Sequence, residues 1–219
     1  KVFRKLASAV GFVVVTGGAA LASDGPLVTT DWLEQNLDNP EVRLIEVSVN
    51  PGVYERGHIP GATNVVWHTD LVDPVRRDIA SKEQLQELLR QAGVDDGSTV
   101  ILYGDTNNWF AAWGAWVLDV YGVENVKLLD GGRALWEAEG RQVSTAPQQH
   151  EAGDITLADA DPAIRAHIGD VVQASGDGSA AIVDIRSADE YSGKVIAPEG
   201  FKETAIRAGH VTNAVNVPW

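Results

Sequence analysis

One segment of this chain occurs twice, and that repeat limits the possible folds more than any other feature. The first copy reads Leu44-Ile45-Glu46-Val47, then Tyr54, then Gly57-His58-Ile59-Pro60-Gly61-Ala62-Thr63-Asn64-Val65-Val66-Trp67. The second reads Ile182-Val183-Asp184-Ile185, then Tyr191, then Gly209-His210-Val211-Thr212-Asn213-Ala214-Val215-Asn216-Val217-Pro218-Trp219. Gly, His, Ala, Asn, Val and Trp fall on matching positions. Tyr and Gly-His lie close together in the first copy, and an inserted stretch at 192–206 separates them in the second. Self-similarity of this kind marks one supersecondary unit used twice. The first copy runs on past Trp67 to about Arg141, whereas the second reaches only its matching Trp219. The second domain is therefore expected to be incomplete, with an unpaired sheet edge and an uncovered apolar face.

Periodicity fills in the elements. Thr30 or Asp31 is placed to cap a short helix running to Leu37. Val42 to Val49 reads as a buried strand and Val65-Val66-Trp67 as another. Ser81 and Gln84 form a capping box ahead of Leu85, Leu88, Leu89 and Ala92, which share one helical face. Thr99 to Tyr103 is apolar without alternation, as in a strand covered on both faces. From Trp109 to Tyr121 the apolar positions 109, 112, 113, 116, 117 and 120 follow the helical period. That helix is apolar almost all round, so it is expected to be buried on more than one side and to rest against a second domain. A strand at 126–129, the turn Asp130-Gly131-Gly132 and a helix at 133–139 close the first half. A helix from about Ala163 and a strand at 180–185 open the second.

Alternating strands and helices predict an α/β fold: two related domains, each a parallel sheet flanked by helices on both faces, the second incomplete. The boundaries read as a signal segment at 1–22, a first domain at 27–141, a turn-rich linker at 142–163 and the start of a second domain at 164–219.

Composition narrows the function. The formal net charge is −14, with 31 acidic residues against 17 basic ones, so a phosphate backbone is not an expected partner. No cysteine occurs anywhere in the 219 residues, which removes disulfides, thiolate metal sites and thiol nucleophiles from them. Lys1, Arg4 and Lys5 precede an uncharged run ending in Ala20-Leu21-Ala22, the pattern of a cleaved export signal. A bacterial periplasmic or secreted location follows as the expectation, with no stable membrane association after cleavage. No two histidines have metal-ligand spacing, and no metal or cofactor is expected. Gly131-Gly132 lacks the rest of a dinucleotide fingerprint.

The pattern Tyr-x-x-Gly-His-Ile-Pro-Gly-Ala after a strand ending in an acidic residue resembles the opening motif of rhodanese domains. Asp130-Gly131-Gly132 with Trp136 resembles their closing motif. The stretch from Tyr103 to Ala111 is similar to the non-catalytic first domain of tandem thiosulfate sulfurtransferases. The resemblance spans residues 27 to 219. It implies a cysteine persulfide that carries sulfane sulfur from a small anionic donor such as thiosulfate to cyanide or a thiol. It also places the active site in a cleft between the domains, on the second domain's side. In the first copy Gly104-Asp105 occupies the position of the catalytic loop, and a carboxylate there would repel an anionic donor. The corresponding loop of the second copy lies past Trp219. These residues alone are therefore expected to be inactive. Three alternatives stay open: 3-mercaptopyruvate as donor, a non-catalytic sulfur- or partner-binding module, and a cysteine phosphatase on the same fold.

Four residues are candidate substrate contacts. Arg186 either orients the loop or the anionic donor, or pairs with Asp184. Glu190 either lines the same mouth or is a solvated surface residue. Trp109 and Phe110 either form an apolar wall of the cleft or pack in the core. His58 and His210 recur in register, one of them in the silent copy, which favours a structural turn bonded to backbone over catalysis.

Overall fold

The computed structural model describes residues 25–73, 75, 78–200 and 205–218. These form two compact units, one ending at Ala160 and the other beginning at Asp161. The export signal expected at 1–22, and Trp219, lie outside the described residues.

In chain order the first unit consists of β1 (Leu27–Val28), α1 (Thr30–Gln35), β2 (Val42–Ser48), α2 (Val53–Arg56), β3 (Thr63–Val66), α3 (Trp67–Asp70), α4 (Lys82–Gln91), β4 (Thr99–Gly104), α5 (Trp109–Val120), β5 (Val126–Leu129) and α6 (Gly132–Ala138). Its five strands pair in the order β1-β5-β4-β2-β3, and every pairing is parallel. Because successive side chains alternate across a sheet, the strands have two distinct faces. Leu44, Ile101 and Tyr103 meet Trp32, Leu33 and Trp136 on the face covered by α1 and α6. On the other face, Val47 and Leu102 approach Gly114 of α5.

Several local expectations shift by a residue or a face. Thr29, not Thr30 or Asp31, caps α1, its hydroxyl accepting from Trp32 N. Trp67 does not extend β3 but starts α3. Ser81 caps α4, yet the Gln84 amide donates to Thr69 O and Asp70 O instead of closing a capping box. The largest change concerns α5. It buries Ala111, Gly114, Val117, Leu118 and Val120, and leaves Trp109 37% exposed and Ala112 exposed. Small residues win that face because they let the helix lie close to the sheet. A side chain at Gly114 would meet Leu71, Leu102 and Val47 at 3.4–3.6 Å. The tryptophans lie on the other side, where Trp67 stacks near Phe110 at 4.4 Å and Trp113 stands edge-on to Trp67 at 6.0 Å.

Of the segment expected as a linker, the part up to Ala160 lies along the first unit. Ser144 and His58 exchange backbone hydrogen bonds at 2.8 Å, and Gly153, Ile155 and Ala158 donate to Arg90, Val94 and Tyr121. Ile155 and Leu157 are buried. This strap is a structural part of the unit, held by both backbone bonds and apolar burial.

In the second unit, α7 (Ile168–Asp177) starts five residues later than the expected Ala163, after a turn at Asp161–Ile164. The expected strand at 180–185 shortens to β6 (Val183–Asp184). It is followed by α8 (Ala188–Tyr191) and pairs in parallel with β7 (Val215–Asn216). Val183, Ile185, Val215 and Val217 are each more than half exposed. With so little apolar burial, β6 stays at the length its two ladder positions can support.

Among the described residues, no helix is long and apolar enough to cross a membrane.

Candidate functional site

Open parallel sheets place their sites beyond the carboxyl ends of the strands, at the point where strand order reverses. In the first unit the chain leaves β2 toward β3, returns to β4 on the other flank of β2, and continues to β5. The switch point is thus between β2 and β4. Gly104 ends β4 there, opposite Val47. A methyl group at Gly104 would lie 2.4 Å from Val47 O, so only glycine permits this approach.

Asp105 follows immediately, and its carboxylate spans the crevice. Oδ1 accepts from Val49 N at 3.0 Å, and Oδ2 accepts from Asn50 N at 2.9 Å and Asn50 Nδ2 at 2.8 Å. The next three residues, Thr106, Asn107 and Asn108, all have positive φ, between 52° and 63°. Asn108 fixes this turn from inside. Its Oδ1 accepts from Gly104 N at 2.9 Å, and its Nδ2 donates to Leu129 O at 2.7 Å. A Cβ on Gly132 would collide with that amide at 2.3 Å. The loop at the tip of β4 is therefore filled by its own side chains. Beside it opens a cavity of about 510 Å³ lined by Val53, Arg56, Gly57, Asp105, Arg133, Glu137, Arg141 and Val143.

Beneath the crevice is a buried polar network. Glu46 of β2 is fully buried. It accepts from Tyr103 Oη at 2.5 Å and from Arg133 Nη1 at 2.7 Å. Burial raises its carboxyl above the ordinary range, with both partners pulling the other way. The Tyr103 phenol is pushed well above its usual value by burial and by the adjacent Glu46. Arg133 also donates to Val53 O and Gly57 O and pairs with Glu137 at 2.9 Å. This arginine links α6 to the Gly-His turn.

The two Gly-His segments share one local geometry. His58 stacks on Tyr54 with ring centroids 3.8 Å apart, and its Nδ1 lies 2.9 Å from Tyr54 O. Tyr54 Oη donates to Ala62 O at 2.7 Å. His210 stacks on Tyr191 at 3.7 Å with Nδ1 2.7 Å from Tyr191 O, and Tyr191 Oη donates to Ala214 O at 2.7 Å. Both histidines are turn residues bonded to backbone, the structural role expected from their recurrence.

The structure also locates the four candidate contacts. Arg186 forms a two-pronged pair with Asp184, Nε to Oδ1 at 3.0 Å and Nη2 to Oδ2 at 2.7 Å, and donates to Gly209 O at 2.8 Å. This pairing holds the Asp184 carboxyl below its ordinary value. Glu190 is not a solvated surface residue. It is buried and closes the capping box of α8, Oε2 accepting from Ser187 N at 3.1 Å and Ser187 Oγ at 2.7 Å. Trp109 and Phe110 stand at the start of α5, outside the sheet-facing core. The sequence reading missed Arg133 and Asn108 as organisers of the first unit. One signal pointed to the network: an acidic residue inside an apolar strand, repeated as Asp184.

A parallel sheet of order β1-β5-β4-β2-β3 with helices on both faces and its crevice at the β2–β4 switch point defines an open α/β class. Comparison with known proteins identifies the family within it. The rhodanese-like domain model matches residues 29–139. A protein of Mycolicibacterium smegmatis named "Putative thiosulfate sulfurtransferase" is 43% identical over 200 residues, covering 91% of this chain and 72% of the relative. "Sulfur carrier protein TtuD" of Thermus thermophilus is 40% identical, covering 88% of this chain and 69% of its own. Among solved structures, the 3-mercaptopyruvate sulfurtransferase SseA of Escherichia coli superposes with a TM-score of 0.75 at 29% identity. That match covers 89% of this chain and 75% of SseA. The chain belongs to the rhodanese family of sulfurtransferases.

Proposed function

We propose that this chain serves transfer of sulfane sulfur from thiosulfate to cyanide or a thiol through a cysteine persulfide. The observation that carries the reading is 43% identity, over 91% of the chain, to a relative named for thiosulfate sulfur transfer. In that reaction a thiolate attacks the outer sulfur of thiosulfate. The S–S bond breaks, and sulfite leaves with its electron pair. Cyanide or a thiolate then attacks the persulfide sulfur, releasing the protein thiolate. A thiolate is required because the neutral thiol is a poor nucleophile. The 219 residues contain no cysteine, so this reading assigns the nucleophile to a residue outside them and gives the first unit a non-catalytic role.

Within the second unit, Arg186 is the candidate for orienting the anionic donor. Its side chain is 38% exposed while Asp184 holds it in place. Glu190 supports the start of α8 from beneath. Donation by 3-mercaptopyruvate is the second reading, favoured by the likeness to SseA. The uncharged N-terminal run supports export to a bacterial periplasm or beyond as part of the same proposal.

The test is a thiocyanate assay. The 219-residue polypeptide with thiosulfate and cyanide should give no product above the blank, and turnover from these cysteine-free residues would overturn the mechanism. In the protein that joins these residues to their cysteine, kcat/KM for thiosulfate should exceed that for 3-mercaptopyruvate. The reverse order would select the second reading.

A further inference from the structure

Both ring nitrogens of His58 face backbone carbonyl oxygens. Nδ1 lies 2.9 Å from Tyr54 O, and Nε2 lies 3.1 Å from Ala146 O of the strap. A carbonyl oxygen can only accept. A neutral imidazole has one N–H and one lone pair, whereas the cation has two N–H groups. A neutral ring would therefore aim a lone pair at one of the two oxygens. The ring is 1% exposed, so bulk water cannot come between them. Only the cation satisfies both contacts. The surrounding charges agree with it. Glu46 of β2 and Glu137 of α6 share one guanidinium, that of Arg133. When both acids are ionised, this cluster carries one negative charge in excess, and Glu46 attracts a charged His58. From α2, Tyr54 stacks on the ring with centroids 3.8 Å apart, a position that favours a cation. Its neighbours Glu55 and Arg56 are exposed and opposite in sign. From β4, the Tyr103 phenol is held neutral by burial and by Glu46. Strap residues 144–149 bring no charge. His210 is the internal contrast. It has the same stack and the same Nδ1 contact, but it is exposed, and among the described residues its Nε2 has no partner.

We propose that His58 is a pH-sensitive clasp: a doubly protonated ring that fastens the start of the strap to the first unit and releases Ala146 when its Nε2 proton is lost to water. The Nδ1–H stays on Tyr54 O, because both residues belong to one turn. The Nε2 lone pair then faces Ala146 O, which keeps only the Gln148 side-chain amide, at 3.2 Å. The paired backbone bonds between His58 and Ser144 lose their flanking contact. The clasp therefore holds at low pH and loosens as pH rises. Further along, Gly153, Ile155 and Ala158 are bonded to Arg90, Val94 and Tyr121 and do not depend on the ring. Opening is confined to the stretch around 144–148.

The experiment is an NMR titration of the 219-residue chain from about pH 5 to about pH 8, the range in which histidine changes charge. At the acid end, ring nitrogen shifts should show two protonated nitrogens on His58. As the Nε2 proton is lost, the exchange protection factor of the Ser144 amide should fall roughly ten- to hundredfold, the loss of one hydrogen bond from a charged donor. The Ile155 and Ala158 amides should keep theirs. Loss of the His210 proton should leave the Ser144 amide unchanged. His58→Phe keeps a ring on Tyr54 but cannot titrate, so its Ser144 protection should be low and independent of pH. If His58→Phe does not fold, His58→Gln offers a neutral donor and should be equally flat. Three results would overturn the clasp. One is a lone-pair nitrogen on His58 at the acid end. Another is Ser144 protection that does not change while the ring titrates. The third is a pH dependence that persists in His58→Phe or His58→Gln, which would move the effect to Glu46.

Discussion

Tyr103 Oη donates to Glu46 Oε2 at 2.5 Å from the neighbouring strand, and the same phenol oxygen accepts from Ile59 N at 3.0 Å. One hydroxyl thus ties the buried acid of β2 to the loop of the Gly-His turn. Tyr103→Phe removes both bonds and leaves the Ile59 amide unpaired. The expected loss is about 1–3 kcal/mol, the cost of leaving a buried polar group unsatisfied. Chemical denaturation of the two chains measures it, and an unchanged midpoint would contradict the assignment.

Glu46 sets a pH dependence. Its folded-state carboxyl is raised above the ordinary 4.5 by burial. A raised pKa means that the native state disfavours the ionised form relative to the unfolded chain. The contribution of Glu46 to stability is therefore fully present below pH 4.5 and falls as pH climbs through the raised value. Glu46→Gln does not titrate. The stability of wild type relative to this variant should decline from pH 4.5 upward, as read by melting temperature at each pH. A difference that grows over that range would reverse the sign.

Gly104 and Gly97 make a controlled pair. A methyl group at Gly104 meets Val47 O at 2.4 Å, whereas at Gly97 nothing lies within 4 Å. Neither glycine has positive φ. Gly104→Ala should lose at least ~2 kcal/mol through backbone displacement, and Gly97→Ala should stay within ~0.5 kcal/mol of wild type. Equal effects would mean that β2 and β4 can separate at no cost.

The strap along the first unit is tested at Ile155, which is buried and bonded through its backbone to Val94 and Arg90. Ile155→Ala should cost about 2–5 kcal/mol, the usual range for an aliphatic core truncation. A surface-like loss below ~0.5 kcal/mol would show that the segment is only a tether.

In the second unit the Asp184–Arg186 pair holds the Asp184 carboxyl below its ordinary 3.8. A depressed carboxyl stabilises the fold above that value, and the gain disappears as pH falls through the lower one. Asp184→Asn should therefore weaken amide-exchange protection in α7 and β6 at neutral pH. The deficit is about 0.2–1 kcal/mol for a partly exposed pair, and it should shrink below pH 3.8. A deficit that does not change with pH would assign the effect to packing.

Much of this molecule was legible in the linear sequence because it depends on local chemistry. Alternating strand and helix patterns specify a parallel α/β fold, since each apolar stripe needs one partner layer. The repeated Tyr and Gly-His segments marked a common turn, and the structure gives both the same Tyr–His stack. The absence of cysteine by itself excludes a thiolate within these residues. Other features depended on tertiary contacts. Helix α5 has apolar residues on every side, so its sheet-facing stripe was decided by closeness of approach, which favours Ala111 and Gly114 over tryptophan. Glu190 became a buried cap because Ser187 lies three residues away in a formed helix turn. Glu46 found Tyr103 only through strand pairing and Arg133 only through helix α6. Asp105 became the acceptor for Val49 and Asn50 because chain reversal brings the ends of β2 and β4 together. Sequence periodicity determines which face of an element is apolar. Only the folded arrangement determines which distant donors a buried charge will meet, because those bonds join residues 50 or more positions apart.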